Sequence, residues 1–102
     1  MDSLHHVALT VKNLQRAVEF YTQNFDCKVS YQDDTWALLD FENIQLALVI
    51  PEEHPSHIAL TRDNADEFGE LVTHRDGVQS VYIEDSEENS IEIIDKNSLE
   101  PT

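Results

Sequence analysis

The sequence has few of the residues that mark secreted, disordered or nucleic-acid-binding chains. It contains one cysteine, two glycines and three prolines among 102 residues. The lone Cys27 excludes an internal disulfide, and so little glycine and proline argues against a disordered or collagen-like chain. Only six basic residues accompany 21 acidic ones, giving a net charge of −15. The chain therefore lacks the basic clusters that bind nucleic acid or anionic membranes.

Long hydrophobic runs are also missing. The longest apolar stretch covers residues 46–50, whereas a helix needs roughly 20 apolar residues to cross a bilayer. Residues 1–6 lack the basic start and the apolar core of a signal peptide. These features favour a cytoplasmic protein with an acidic, solvated surface, and a chain of 102 residues fits one small domain.

An internal repeat sets the expected architecture. His6-Val7-Ala8-Leu9-Thr10 recurs as His57-Ile58-Ala59-Leu60-Thr61, which is 51 residues later. Each copy alternates branched apolar residues with a histidine and small or polar residues, the pattern of a strand. A helical pattern follows each copy, at residues 14–24 behind Asn13 as a cap and at about 65–74. The branched face of each strand is predicted to pack under its helix, and the histidine face is predicted to line a cavity.

The second half of the chain is predicted to be a shortened copy of the first. Three strand-like runs follow the first helix, at residues 28–32, 35–41 and 44–50. Only residues 80–84 and 90–95 follow the second helix as clear strands. The pattern predicts an α+β protein, with module one at about residues 4–51 and module two at about 56–95.

Four side chains are candidate metal ligands. His6 and His57 occupy equivalent first strands, and aligning the last strands makes Gln45 equivalent to Glu92. Two imidazoles and a carboxylate facing one cavity bind divalent transition metals, and such a site leaves positions for water or substrate oxygens. Simpler readings stay open: the histidines could be structural, Glu92 could be solvated, and Gln45 could only hydrogen-bond a bound water or substrate.

The same residues resemble the vicinal oxygen chelate superfamily, which includes glyoxalases, bleomycin resistance proteins and extradiol dioxygenases. Residues 4–21 resemble its opening motif, and His57-Ile58-Ala59-Leu60 resembles the start of its second module. Residues 81–93 resemble its closing hairpin. In that family the hairpin usually reads Asp-Pro-x-Gly-Asn before a ligand Glu, whereas this chain reads Asp85-Ser86-Glu87-Glu88-Asn89.

The resemblance implies one domain over residues 1–102, in which two βαβββ-type modules form a curled mixed sheet around a cleft. It implies a divalent metal ion, with Fe, Mn, Ni, Zn and Co not distinguished, held by His6, His57 and Glu92. Gln45 takes the fourth position, where many members carry Glu. Three ligands resemble the facial triad of extradiol dioxygenases, and all four resemble the set of glyoxalase I. A homodimer is also implied.

Two classes of function follow from this resemblance. The first is a metal-dependent enzyme of the lyase, isomerase or dioxygenase type, which acts on a small oxygen-chelating substrate with Glu92 as a candidate base. The second is a non-catalytic protein that sequesters a small molecule, as antibiotic-binding relatives do. Trp36, Tyr82 and Arg75 are candidates for contact with the substrate. The two aromatic side chains could instead pack in the core or at the rim, and Arg75 could pair with an acidic side chain. His74 is expected at the surface.

Overall fold

The computed structural model describes residues 1–99, so residues 100–102 of the predicted domain lie outside the described residues. The described chain has two compact units, which are His6–His57 and residues 1–5 with 58–99. One α-helix, α1 (Leu14–Asn24), is present in this range, with two 3₁₀ helices at Ala65–Phe68 and Lys96–Ser98. The strands are β1 (Ser3–Thr10), β2 (Lys28–Gln32), β3 (Trp36–Asp40), β4 (Gln45–Val49), β5 (His57–Arg62), β6 (Val72–Thr73), β7 (Gln79–Glu84) and β8 (Ser90–Asp95).

The first unit is a βαβββ module. Its strand order is β2-β3-β4-β1, with β1 parallel to β4 and β3 antiparallel to both of its neighbours. A parallel pair needs a crossover connection, and α1 begins that connection from β1 before the β2-β3-β4 meander returns the chain. The prediction of a βαβββ module with a mixed sheet is confirmed for this half.

Helix α1 forms where the sequence predicted it. The Asn13 side chain accepts a hydrogen bond from the backbone N–H of Arg16 at 3.0 Å, which caps the first turn. Leu14 and Val18 are buried against Leu39 and Leu48 of β3 and β4. Each such buried side chain contributes about 1.5 to 3 kcal/mol relative to its exposed state. No helix among residues 1–99 has the length and apolar character needed to cross a membrane.

The prediction that the branched residues of β1 and β5 pack under helices is wrong for two of them. Leu9 and Ile58 are each 38% exposed, whereas Ala8 is 1% exposed and Ala59 is fully buried. The reason in the first unit is the strand order, because α1 packs over the central strands β3 and β4 and not over the outer strand β1. The small-residue face is therefore the better buried one.

The second unit repeats the module in shortened form. Its strand order β5-β8-β7-β6 is the first unit's order read from the other end. The 3₁₀ helix stands in the place of α1, and its Ala65 is buried with Val81 of β7 and Ile93 of β8. The predicted fold class, α+β with two βαβββ-type modules of which the second is short, is confirmed.

The predicted helix over residues 65–74 is wrong beyond its first turn. Helical structure ends at Phe68, because Gly69 has φ +153°, a conformation that no helix contains. Val72 and Thr73 then form β6, which pairs with Ser80 and Gln79 of β7. The first hairpin strand of module two is thus present as two residues that the apolar periodicity had assigned to the helix.

The β7-β8 turn holds a residue other than glycine in the left-handed region of backbone conformation. Glu88 has φ +68°, in the left-handed region, at the position where the family motif carries Gly. The Asp85 carboxylate accepts backbone hydrogen bonds from Glu87 and Asn89 at 2.8 and 2.9 Å. Hydrogen bonds lower the pKa of Asp85, and the one from the Asn89 side chain has the largest effect. Hydrogen bonding to Asp85 therefore holds a turn that the family builds with Pro and Gly.

Substitution of Gly69 by alanine is expected to destabilise the second unit. A Cβ atom at Gly69 would lie 2.8 Å from Cγ2 of Val81, and the positive φ adds backbone strain. Together these effects should lower the free energy of unfolding by about 2 to 4 kcal/mol. Gly77→Ala is the matched control, because Gly77 also has positive φ but nothing lies within 4 Å of its added Cβ. It should cost only about 1 kcal/mol, and urea unfolding that ranks the two variants in the opposite order contradicts this packing.

Candidate metal centre

Two imidazole rings meet in the first unit. The ring centroids of His6 on β1 and His57 at the start of β5 are 5.5 Å apart, with an angle of 74° between their planes. Two imidazoles that share one ion at nitrogen–metal distances of about 2.1 Å have centroids roughly 4.5 to 5.5 Å apart. His6 is half-buried and His57 is 8% exposed. The pair therefore has the spacing that shared ligation requires.

The hydrogen bond of His57 fixes its tautomer. Its Nδ1 lies 2.8 Å from the carbonyl oxygen of Pro55. A carbonyl oxygen only accepts, so Nδ1 carries the proton and the neutral ring has its lone pair on Nε2. Backbone hydrogen bonds of this kind orient metal-ligating histidines and set which nitrogen binds. The exposed ring of His54 lies 6.4 Å from that of His57, centroid to centroid.

Gln45 lies beside His6 in the sheet. The two are register partners in the parallel β1-β4 pair, and Gln45 is opposite Asp40 in the β3-β4 pair. Gln45 Nε2 donates to the Asp40 carboxylate at 2.7 Å. A carboxylate only accepts hydrogen bonds. The atom of the Gln45 amide that contacts Asp40 is therefore its nitrogen and not its carbonyl oxygen. Asp40 is not among the site residues predicted from the sequence. Aligning β3 with β4 as a hairpin would have placed Asp40 opposite Gln45 and so identified it.

Trp36 shares the face of His6 but lies farther along the sheet. It is opposite Val49, four residues from Asp40 on β3, which is about 13 Å at the rise of a strand. Its ring centroid is 4.7 Å from that of Tyr31, and it packs against the buried cluster of Ala8, Ala47 and Val49. Trp36 thus forms part of an apolar wall on this face.

Glu92 is buried in the second unit. It lies on β8 between Ile91 and Ile93, which face the cluster around Ala65, so its own side chain is on the opposite face. Only 6% of Glu92 is exposed, and Ser80 donates to its Oε2 at 2.8 Å. The alternative of an outward, solvated Glu92 is therefore wrong. Burial of a carboxylate is costly unless donors or cations compensate it.

The family assignment follows from a match to the Glyoxalase/Bleomycin resistance protein/Dioxygenase superfamily, which covers residues 3–87. The chain belongs to this superfamily. Solved structures agree with that fold at low sequence identity. A hypothetical protein from Bacillus halodurans is 15% identical over 99% of each chain, with a TM-score of 0.75. A superfamily member from Vibrio splendidus is 9% identical over 92% of this chain and 98% of its own, with a TM-score of 0.69.

A structure with a named activity also has this fold. Methylmalonyl-CoA epimerase from Mycobacterium tuberculosis is 19% identical over 89% of this chain and 85% of its own, with a TM-score of 0.60. At such identities the likeness shows the fold alone, because one fold supports many chemistries.

The candidate side chains of this superfamily member fall into two groups. His6, His57 and Gln45 lie together in the first unit, and Glu92 and Tyr82 are register partners in the second. Arg75 is exposed in the turn that follows His74. His74 is half-buried: its side chain is 30% exposed, and its Nε2 lies 2.8 Å from Ser80 Oγ.

Tyr82 faces the carboxylate of Glu92. Tyr82 is 38% exposed, and its partial burial, the negative charge of Glu92 and the hydrogen bond to it together raise the pKa of the phenol above its usual range. The phenol therefore stays protonated at neutral pH and serves as a donor rather than a base. The sequence indicates Tyr82 as a substrate contact or as a packing residue, and it does not predict this hydrogen bond to Glu92.

The raised pKa of Tyr82 can be measured by ultraviolet titration of the metal-free protein. We expect one tyrosine to ionise only well above the ordinary value of about 10, and Tyr82→Phe should remove that late step. Because the folded pKa is raised, the contribution of Tyr82 to stability is complete below the unfolded pKa and is lost as pH rises through the folded one. If Tyr82→Phe instead removes a step at the ordinary pKa, the described contact with Glu92 is wrong.

Proposed function

We propose that this superfamily member binds one divalent metal ion through His6, His57 and Glu92. The observation that carries the proposal is the imidazole pair, whose centroids are 5.5 Å apart and in which Nε2 of His57 has the lone pair. The donor set also fits the chemistry of such ions. Two neutral imidazoles supply directional nitrogens, and a buried carboxylate supplies a hard oxygen with a compensating negative charge.

Gln45 is proposed as the fourth donor. Its amide nitrogen is held by Asp40 at 2.7 Å, which leaves the carbonyl oxygen as the end that ligates. A set of two imidazoles, one carboxylate and one amide oxygen suits Fe, Mn, Ni, Zn or Co, so the identity of the metal is not part of the proposal. The hydrogen bond from Gln45 to Asp40 favours the four-donor set over the facial triad of three.

The proposed reaction class is a proton transfer next to a carbonyl group, of the lyase or isomerase type, on a small substrate with two neighbouring oxygens. A bound divalent ion supplies Lewis acidity that polarises substrate oxygens. Glu92 is the proposed base, and the Tyr82 hydroxyl donates to it. The apolar wall of Ala8, Ala47 and Trp36 in the first unit would exclude water from the substrate. Arg75 is proposed as a contact for an anionic substrate group.

Metal binding by purified variants tests the proposal. Elemental analysis should find about one divalent ion per wild-type chain after metal loading and gel filtration. His6→Ala, His57→Ala and Glu92→Gln should each weaken metal binding by more than about 100-fold. Removing a ligand lowers metal affinity more than removing a residue that only orients a ligand. His54→Ala is the matched control, because it removes an exposed imidazole that contacts the ring of His57 but is not itself one of the proposed ligands. It should bind like wild type.

The same variants separate an enzyme from a sequestering protein. Isomerisation of the hemithioacetal of methylglyoxal and glutathione should require the metal and be lost in Glu92→Gln. Binding of a small molecule that persists in chelator, with wild-type strength in His57→Ala, would contradict the metal-dependent function and support the sequestering alternative. The homodimer implied by the resemblance is retained as part of the proposal.

A further inference from the structure

We infer that His74 and Ser80 form a positioning pair for the Glu92 carboxylate. The inference rests on the proposed function, because Glu92 is there a ligand and a base, and it adds two residues that the sequence did not assign to the site. His74 and Ser80 touch Glu92 and not the proposed substrate, so they act through Glu92 and are not themselves catalytic.

The hydrogen bonds run in one direction along this pair. The Ser80 hydroxyl donates to Oε2 of Glu92 at 2.8 Å, and His74 Nε2 lies 2.8 Å from the same Ser80 oxygen. A hydroxyl has a single hydrogen, which Glu92 accepts, so Ser80 must accept from an N–H on His74. His74 Nε2 also lies 3.6 Å from Oε2. Ser80 therefore donates directly to Oε2, and His74 acts on that oxygen through Ser80.

Ser80 holds its position because of the strand it occupies. It lies two residues before Tyr82 on β7, on the face of the sheet that also carries Glu92. Ser80 is 1% exposed, which places its hydroxyl among the most buried polar groups of the described chain. A serine in the interior of a buried strand gains nothing from packing that an alanine would not give, whereas its hydroxyl donates to Oε2 of Glu92 at 2.8 Å.

His74 is anchored by the turn between β6 and β7. Its backbone N–H donates to the carbonyl of Val78 at 2.8 Å, and its carbonyl accepts from Gly77 at 2.9 Å. Asp76 accepts from the N–H of Val78 at 3.0 Å, and Gly77 provides the positive φ that this turn needs. The imidazole is thus presented from a backbone fixed on both sides, as a residue that orients a ligand should be.

The consequence is a carboxylate whose rotamer is set before any ion arrives. A glutamate side chain has several rotatable bonds, and ordering them on binding costs affinity. Partners that orient a metal ligand typically account for about 10- to 100-fold of metal affinity. A role limited to satisfying buried polar groups would change the stability of the metal-free protein but not the geometry at the metal.

Titration with Co²⁺ tests the pair, because its visible absorption reports both affinity and ligand geometry. Ser80→Ala and His74→Leu should each weaken Co²⁺ binding by about 10- to 100-fold and alter the spectrum. Their double variant should lose little more than either single one, since His74 acts through Ser80. His74→Gln, which restores an N–H donor, should recover part of the affinity. Ser30→Ala is the matched control, because the exposed Ser30 hydroxyl donates only to the Leu38 carbonyl.

Wild-type Co²⁺ affinity and spectrum in folded Ser80→Ala and His74→Leu would overturn the inference. If the wild-type chain itself binds no metal, the proposed function fails, and the carbon-13 signal of the Glu92 carboxyl in metal-free protein then decides the positioning role. That signal, identified by its loss in Glu92→Gln, should move in Ser80→Ala and His74→Leu and return towards wild type in His74→Gln. An unmoved signal would overturn the inference, and if His74→Leu fails to fold, Ser80→Ala and His74→Gln carry the same test.

Discussion

The alternation of side chains along β-strands is the constraint on which the candidate site depends. In the first unit, pairing of β1 with β4 and of β4 with β3 aligns His6, Gln45 and Asp40 across one face of the sheet. The opposite face carries Leu39 and Leu48, which α1 covers. A slip of one residue between β3 and β4 would move Gln45 under the helix and Leu48 away from it. Packing of α1 therefore fixes the register that places Gln45 opposite Asp40.

The second unit keeps a carboxylate, that of Glu92, buried away from water. Glu92 is 6% exposed and receives donors from Ser80 and Tyr82, with His74 behind Ser80. No buried side-chain nitrogen or oxygen in the described part of the chain lacks a hydrogen-bond partner. Satisfied networks of this kind hold polar groups in one arrangement, because any other arrangement leaves a buried group unpaired. Stability and orientation of Glu92 thus have the same physical origin.

Much of the fold could be predicted from the sequence because its signals are local. The stripe of Leu14 and Val18 behind the cap Asn13 gave α1 its correct bounds, and the repeat of His6 as His57 identified the two modules. The helix over residues 65–74 failed because the stripe that runs through Leu71 and Val72 crosses Gly69, whose backbone conformation only the tertiary structure reveals. The exposure of Leu9 likewise depends on which strands α1 covers, and periodicity does not encode that choice.

The candidate ligands were predictable from the repeat, whereas their partners were not. His6, His57, Gln45 and Glu92 follow from aligning one half of the sequence with the other. Asp40 falls within that alignment, opposite Asp85, but nothing there shows its hydrogen bond to Gln45. Ser80 and His74 lie outside the alignment, and they reach Glu92 through a cross-strand pairing and a turn. His74 was assigned to a helix end that does not exist. Residues that orient a ligand are therefore the part of such a site that needs coordinates.

The central claim is that side chains from both halves of the repeat hold a single ion. Crystals of metal-loaded protein, measured on both sides of the absorption edge of the metal, test it most directly. The account predicts one anomalous peak with His6, His57 and Glu92 donor atoms within about 2.0 to 2.3 Å. A metal ion found only elsewhere on the acidic surface, with no anomalous peak beside the two imidazoles, would contradict it.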